Sequence, residues 1–549
     1  MKHPLGNQDK APKEAVHLCM LPHEVFFTMG NTSPELFEYL FTGGASNLQS
    51  WWGKAALAAK EFPTRSGPWL RAARLATDNA DPARVVPLGM HEDDAGGHGH
   101  EKVLVVTWGS VAVDLSTLDS RICFTMLRDS EAVAGVTREK FYKVLTWSFA
   151  ALAAGVFPAC DEEGKGFGPE HHPGRASLAG RPLHHGFRGV WAELRGDWKF
   201  LKEALHLKHG YHARKCCHLC DAEKDVDSST DFTLTADVRA TCTETAAWMA
   251  SDAHAGTSPL LRLPAFDIWR VQFDIMHTLD LGILQLAIPS ALQELTSAGG
   301  VFEGRTRECR VKAASAAYDY WCRKNKVQCR CKRITMQWVL GPRPKISQAH
   351  CKAAPLRRMV QWIMEACQEA AAREADLHAR RRAAFFVCLH HADCTMRANG
   401  RFLGCAAAAA ISRALRDALV LYKALRDGAL QAGFDRWPLI PKHHALTHIG
   451  FDHGGVNPRQ VHCYADEDMV GKMKRIYIRC HGGNAARRGL QRYRLYLGVR
   501  WKALQQRKGM QPAGPAAGDL MGRGSKRKLR RASGESLQRK GCDDDSISR

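Results

Sequence analysis

The sequence predicts an α/β protein in which a mixed sheet flanked by helices is interrupted by a large all-helical insertion. Three observations predict it. Strand-like runs rich in β-branched residues fall between 84 and 194. Helical periodicity dominates from about 225 to 440. Acidic residues stand just beyond the first and the last of the strand-like runs.

Residues 1–80 read as an N-terminal, mostly helical region with Trp51, Trp52 and Trp69 as packing anchors. Residues 81–224 carry the strands. Arg84 to Met90 is short and apolar, and ends in His91-Glu92-Asp93-Asp94 and a Gly/His loop. Lys102 to Val113 and Arg121 to Leu127 are the next two strands, and 138–157 has helical spacing. Phe187 to Leu194 is a fourth strand, leading through Gly196-Asp197 into a helix from Trp198 to Leu207. Three strands, a helix and a fourth strand, with carboxylates after the first and fourth strands, is the order of an RNase H-like core. Topology of this kind does not by itself specify an activity.

From 225 to 440 strand signals nearly vanish and helices are expected at 285–297, 308–323, 352–395 and 402–432, the all-helical insertion. Residues 441–505 hold a histidine-rich segment and a further helix at 465–480. Beyond it, 506–549 is expected to be a disordered basic tail. Its run Ser525 to Arg531 is of nuclear-localisation type, so the nucleus is the expected compartment, and Ser533 matches a basophilic kinase site.

Composition narrows the partners. The formal charge of +22 over 549 residues points to a polyanion. No stretch approaches the roughly 18–20 uninterrupted apolar residues of a membrane helix, so no membrane partner is expected. Nineteen scattered cysteines, with no secretory signal, argue for buried thiols rather than a disulfide scaffold.

Several short blocks resemble the CACTA (En/Spm) family of DDE transposases, and they occur in that family's order between about 85 and 500. His91-Glu92-Asp93-Asp94 after a strand resembles the first-aspartate motif, and Arg195-Gly196-Asp197-Trp198 the second. Cys217-His218-Leu219-Cys220 resembles the C-x-x-C that trails the second aspartate. Phe273-Asp274-Ile275-Met276-His277 with Leu281-Gly282 is similar to the D-x-M-H segment. Tyr464-Ala465-Asp466-Glu467, followed by Lys472, Lys474 and Arg475, is similar to the helix that carries the final glutamate. The resemblance implies that Asp93 and Asp197 bind two catalytic Mg²⁺ ions, that Glu467 completes the triad, and that the reaction is cleavage and transfer of double-stranded DNA. A homodimer is expected by the same analogy. Two departures leave choices open: Asp94 replaces the family's glycine and could be the ligand, and Asp466 stands where the family has phenylalanine, beside Glu467.

Cys217 and Cys220 form half of a tetrahedral zinc site, with Cys216 blurring the register. His444 and His448, one helical turn apart, are the expected other half, with His443 as the alternative. Such a structural zinc would clamp the ends of the insertion so that Glu467 reaches the two aspartates. Cys329-Arg330-Cys331 reads as a basic surface loop. Around the last helix, Arg459, Lys472, Lys474, Arg475, Arg479, Arg487 and Arg488 are candidate DNA-phosphate contacts, interleaved with tyrosines. Two other readings use the same residues: a catalytically inactive, transposase-derived DNA-binding protein, and a zinc-stabilised interaction protein that binds RNA or acidic partners.

Overall fold

In a computed structural model of the chain, residues 2–7, 10–133, 135–224, 229–233, 237–242, 244–373 and 376–510 are described, with side chains from His17 onward. The basic run at 525–531, Ser533 and the rest of the expected tail beyond 510 lie outside the described residues. The N-terminal region is not helical throughout. It opens with an antiparallel hairpin, β1 (Lys2–Asn7) and β2 (Lys10–Val16), before helices α1 (Pro22–Thr32), α2 (Ala45–Glu61) and α3 (Gly67–Ala76). Trp52 and Trp69 stack at 5.6 Å. Their indole N–H groups donate to the carbonyls of Val85 (2.8 Å) and Trp191 (3.0 Å), so α2 and α3 are fastened to strand backbone.

That backbone belongs to a four-stranded mixed sheet of β3 (Val85–Gly96), β4 (Lys102–Ser110), β5 (Ile122–Arg128) and β6 (Arg188–Arg195). The spatial order is β5-β4-β3-β6, with β3 antiparallel to β4, β4 antiparallel to β5, and β6 parallel to β3. A parallel partner needs a crossover, and α4 (Thr137–Ala154) supplies its helix. The alternation of side chains splits β3 between two faces. Met90 and Glu92 face α4, where Glu92 accepts from the Tyr142 hydroxyl at 2.8 Å and pairs with Arg138 at 3.2 Å. With Glu92 so partnered and its backbone paired with β4, β3 continues to Gly96 through the acidic run instead of ending at Met90.

After β6 comes the short helix α5 (Trp198–Ala204). The helical segment then contains α6 (Leu284–Leu295), α7 (Arg307–Lys324), α8 (Ala353–Arg373), α9 (Leu377–Ala398) and α10 (Cys405–Gln431). The single helix expected over 352–395 is two, the second capped by Asp376, which accepts from the Ala379 amide at 3.1 Å. Cys331 is buried and disulfide-bonded to Cys351, so the basic loop is pinned at its base, while Cys329 is exposed. Among the described residues no helix is long and apolar enough to cross a membrane.

Inside this layer Glu294 of α6 is buried and accepts from Arg382 (2.7 Å), His378 (3.1 Å) and the Trp437 indole (2.8 Å). Burial alone would raise its pKa, but His378 and Arg382 bring it down to about 2. A depressed carboxyl contributes stability above its unfolded value, about 4.5, and loses it as pH falls toward 2. Glu294→Gln is therefore expected to flatten the acid-side fall of the melting temperature between pH 4.5 and 2, relative to the unmodified protein. Parallel melting curves would sink the assignment.

The chain returns to the sheet through α11 (Pro441–Phe451), α12 (Tyr464–Tyr477) and α13 (Ala485–Lys508), the last extending beyond the expected start of the tail. Met469, Met473 and Tyr477 of α12, with Leu490 and Tyr493 of α13, pack on Ala95, Val103, Val105 and Met126. The sheet thus lies between α4 on one face and α12–α13 on the other.

Candidate metal centres

β3 and β6 are parallel neighbours in which His91 pairs with Arg195. Asp93 lies two residues further along β3, and Asp197 lies two residues beyond Arg195, past the end of β6, so both emerge at the same end of this strand pair. The two-residue period puts His91, Asp93 and Ala95 on the α12 side. Asp94 points the other way, 3.2 Å from Lys199 and 3.9 Å from Arg138. Asp93, not Asp94, is therefore the residue brought to α12.

Asp197 follows the end of β6 and caps α5, its Oδ1 accepting from the Phe200 amide at 2.7 Å. The residue before it must be glycine, because a Cβ at Gly196 would sit 2.0 Å from the Phe200 ring. Capping uses one oxygen and leaves the other for a further partner.

In the first turn of α12 the two adjacent acids separate. Asp466 is buried and receives the Arg195 guanidinium as a fork (2.8 and 3.0 Å) and Arg121 at 2.6 Å. Burial would raise its carboxyl, but Arg121 and Arg195 hold it well below the usual range. Arg195 also binds Glu193, which binds Arg401, making a buried chain of alternating charge. Asp466 is thus an anchor for the helix, and Glu467 is the carboxylate left to approach Asp93 and Asp197. Removing one member of such a set leaves buried charge uncompensated, at a cost of about 3–5 kcal/mol. Asp466→Asn is expected to lose that much in urea denaturation, and an unchanged midpoint would contradict the anchoring role.

Asp93, Asp197 and Glu467 feel one another. Burial first, then the charges of Glu467 and Asp197, push Asp93 up to about 7, and burial also raises Glu467. Crowded, half-buried carboxylates of this kind are relieved by a cation. Their oxygens are not drawn together within the 4.8 Å that encloses the Cys/His set described below. A cleft of about 300 Å³ is lined by Asp93, Asp94 and Asp197 together with Lys199, Arg138 and Glu203, while Glu467 stands outside its lining.

One neighbour carries a role that its place in the sequence blocks did not assign. His277 Nε2 lies 3.5 Å from Glu467 Oε1, and its Nδ1 is 2.7 Å from Asp274 Oδ2. Burial lowers its pKa, yet Asp274, with Glu467 and Asp197, carries it up to about 9. The other Asp274 oxygen accepts from the Cys463 amide (3.1 Å) at the start of α12. This clamp opens a π-helical turn, Met276–Ile283, a form found often at functional sites. Gly282 in that turn lets Lys442 reach the His277 carbonyl at 2.6 Å, since a Cβ there would lie 2.5 Å from the lysine chain. The signal that could have found the clamp is the Asp274-x-x-His277 spacing.

A second cluster lies deeper. Cys217, Cys220, His444 and His448 are all buried, and their donor atoms lie within 4.8 Å of one another. His448 Nε2 is 3.2 Å from Cys217 Sγ, 3.4 Å from Cys220 Sγ and 3.1 Å from His444 Nε2, and His444 is 3.2 Å from Cys220. Tetrahedral bonds of 2.0–2.1 Å to nitrogen and 2.3 Å to sulfur imply separations of about 3.3–3.6 Å, so this set could hold a metal such as zinc. His443 turns away, its Nδ1 beside Ile440 and its ring 4.3 Å from Tyr422, and Cys216 is not in the set. Asp452, unanticipated from the sequence, accepts at 2.8 Å from the His448 Nδ1 and fixes the ring with Nε2 inward. Cys242, also unanticipated, converges with His448 and Asp452 on the same region.

The basic candidates divide. Arg459 is buried, its guanidinium committed to Asp280 (2.5 and 2.9 Å) and Asp393 (2.9 Å), so it is an internal brace and not a phosphate contact. Lys472 pairs with Asp468 on its own helix. Lys474, Arg475, Arg479, Arg487 and Arg488 are exposed, and Lys474 reaches toward Gly96 at the tip of β3. Of the interleaved tyrosines, Tyr477 and Tyr493 are core residues and Tyr496 is exposed.

No family model and no curated protein matches the chain.

Proposed function

We propose that the protein is a DDE-type transposase, or a descendant of one, which cleaves and joins double-stranded DNA on an RNase H-like core with a helical insertion. The observation that carries this reading is the juxtaposition of Asp93 on β3 with Asp197 just beyond the parallel neighbour β6, with Glu467 near both on a helix anchored by Asp466. All three donors are carboxylates, the ligand type that hard divalent cations prefer, and their mutual repulsion favours such cations. Two Mg²⁺ ions, when bound, would supply Lewis acidity at the attacking and leaving oxygens of an in-line displacement.

The chain's own residues do the rest. Asp93 and Asp197 would hold the ions, and Glu467 would close the site from α12. The Asp274–His277 clamp holds Glu467 at 3.5 Å and supplies positive charge beside it. In this reading the Cys₂His₂ set binds one structural zinc that ties the segment after β6 to α11, and so sets the approach of α12. Exposed Lys474, Arg475, Arg479, Arg487 and Arg488 would receive DNA phosphates.

The test is Mg²⁺- or Mn²⁺-dependent nicking and strand transfer on duplex DNA, comparing the unmodified chain with Asp197→Asn. Activity lost in the variant supports the reading. Binding to DNA with no metal-dependent activity in either protein would make it a catalytically inactive transposase relic.

A further inference from the structure

From Tyr320 to Met364 the chain carries eleven lysines and arginines and no aspartate or glutamate. Acidic residues are 56 of 549, so a stretch of this length would ordinarily hold roughly four or five. The segment is an ordered surface. It runs from the end of α7 into α8, pinned by the Cys331–Cys351 disulfide, by the Ile334 amide on Ser315 (3.2 Å) and by the Ile346 amide on the Gln285 carbonyl (2.9 Å).

Some of its cations are neutralised: Arg323 and Arg330 pair with Asp319, Arg343 with Asp435, and Arg357 with Asp393. Lys324, Lys326, Lys332, Arg333, Lys345 and Lys352 are exposed and form no ion pair among the described residues. Two of them stand near further positive charge, Arg333 near Lys312 and Lys345 near Lys442. Like charges held together on an ordered surface cost energy that a polyanion recovers. Lys442 donates to the His277 carbonyl at 2.6 Å and lies near Asp197, which lines the carboxylate cleft.

We propose that segment 320–364 is a second track for the sugar-phosphate backbone of double-stranded DNA, leading across the helical layer toward that cleft. The identity of the polyanion rests on the function proposed above. Contacts from lysine and arginine to phosphates carry no base information, so such a track is independent of sequence.

The experiment is duplex-DNA binding by fluorescence anisotropy across a salt series, using the full chain with Lys332→Ala, Arg333→Ala, Lys345→Ala and Lys352→Ala combined. Each lost phosphate contact lowers the slope of log K against log salt by about 0.9, so the quadruple variant should lose about 3 to 4. If the quadruple variant fails to fold, the pairs Lys332→Ala/Arg333→Ala and Lys345→Ala/Lys352→Ala should each lose about 2. Removing four exposed cations elsewhere, Lys54, Lys60, Arg71 and Arg74, should leave the slope unchanged. A slope equal to the unmodified protein's, a fall no larger than in that control, or a fall confined to RNA would overturn the proposal. Strand transfer measured alongside separates the two readings. A lost slope in a chain without strand transfer keeps the track and removes the transposase, and an unchanged slope in an active enzyme does the reverse.

Discussion

Asp197→Asn is expected to lower metal-dependent strand transfer by roughly 10³-fold or more, equivalent to about 4 kcal/mol at 1.36 kcal/mol per tenfold. The fold should be spared. Asparagine keeps a side-chain carbonyl where Asp197 Oδ1 accepts from the Phe200 amide, so α5 remains capped and Gly196 still packs on Phe200. What it loses is the charge on an oxygen facing Asp93 and Glu467. Glu467→Gln should behave alike, because Asp466, and not Glu467, anchors α12 to Arg121 and Arg195. Asp94→Asn is the discriminating control: Asp94 faces Lys199 on the opposite side of β3, and activity should stay within a few-fold of the unmodified protein. If Asp94→Asn abolished activity while Asp93→Asn spared it, the orientation of β3 argued from its two-residue period would be wrong.

That comparison shows how much of the site could be read before the fold was known. The strands, the crossover helix and the order of the carboxylates were legible, because β-branched runs and helical spacing are local signals. The choice between neighbours was not. His91-Glu92-Asp93-Asp94 is too polar to read as strand, and becomes one because its backbone pairs with β4 through Gly96 while Tyr142 and Arg138 partner Glu92. Asp466 and Glu467 are equivalent as letters, and only the arginines on β6 and before β5 tell them apart. Arg459 belongs to a basic-looking stretch, yet its partners Asp280 and Asp393 arrive from the π-helical turn and α9 respectively. A charge count cannot see such compensation. The N-terminal hairpin had no alternating apolar pattern to announce it. By contrast, the break within 352–395 has a local signal, since Asp376 caps α9 through the Ala379 amide.

The Cys/His cluster was legible as spacing, and it carries the second large expectation. Cys220→Ser or His448→Ala should abolish stoichiometric zinc in the purified full chain and lower stability by about 3–5 kcal/mol, since metal binding energy in such sites is folding energy. For a chain of this length the melting temperature should fall by about 3–5 °C. The cost is large because the four ligands join segments more than two hundred residues apart, the turn at Cys217–Cys220 and helix α11. Asp452→Asn should act more gently, keeping zinc but weakening its retention against a chelator by roughly 10–100-fold, because Asp452 orients His448 without being one of the four donors. His443→Gln should keep full zinc, its ring being turned to Tyr422 and Ile440. The gradation is the point: four ligands essential, one orienting carboxylate partial, one adjacent histidine neutral toward metal. If Cys220→Ser retained both zinc and stability, the cluster would be a packing feature. The tie that is proposed to bring Glu467 to the aspartates would then have to come from the Asp274–His277 clamp and the Arg195–Asp466 fork alone.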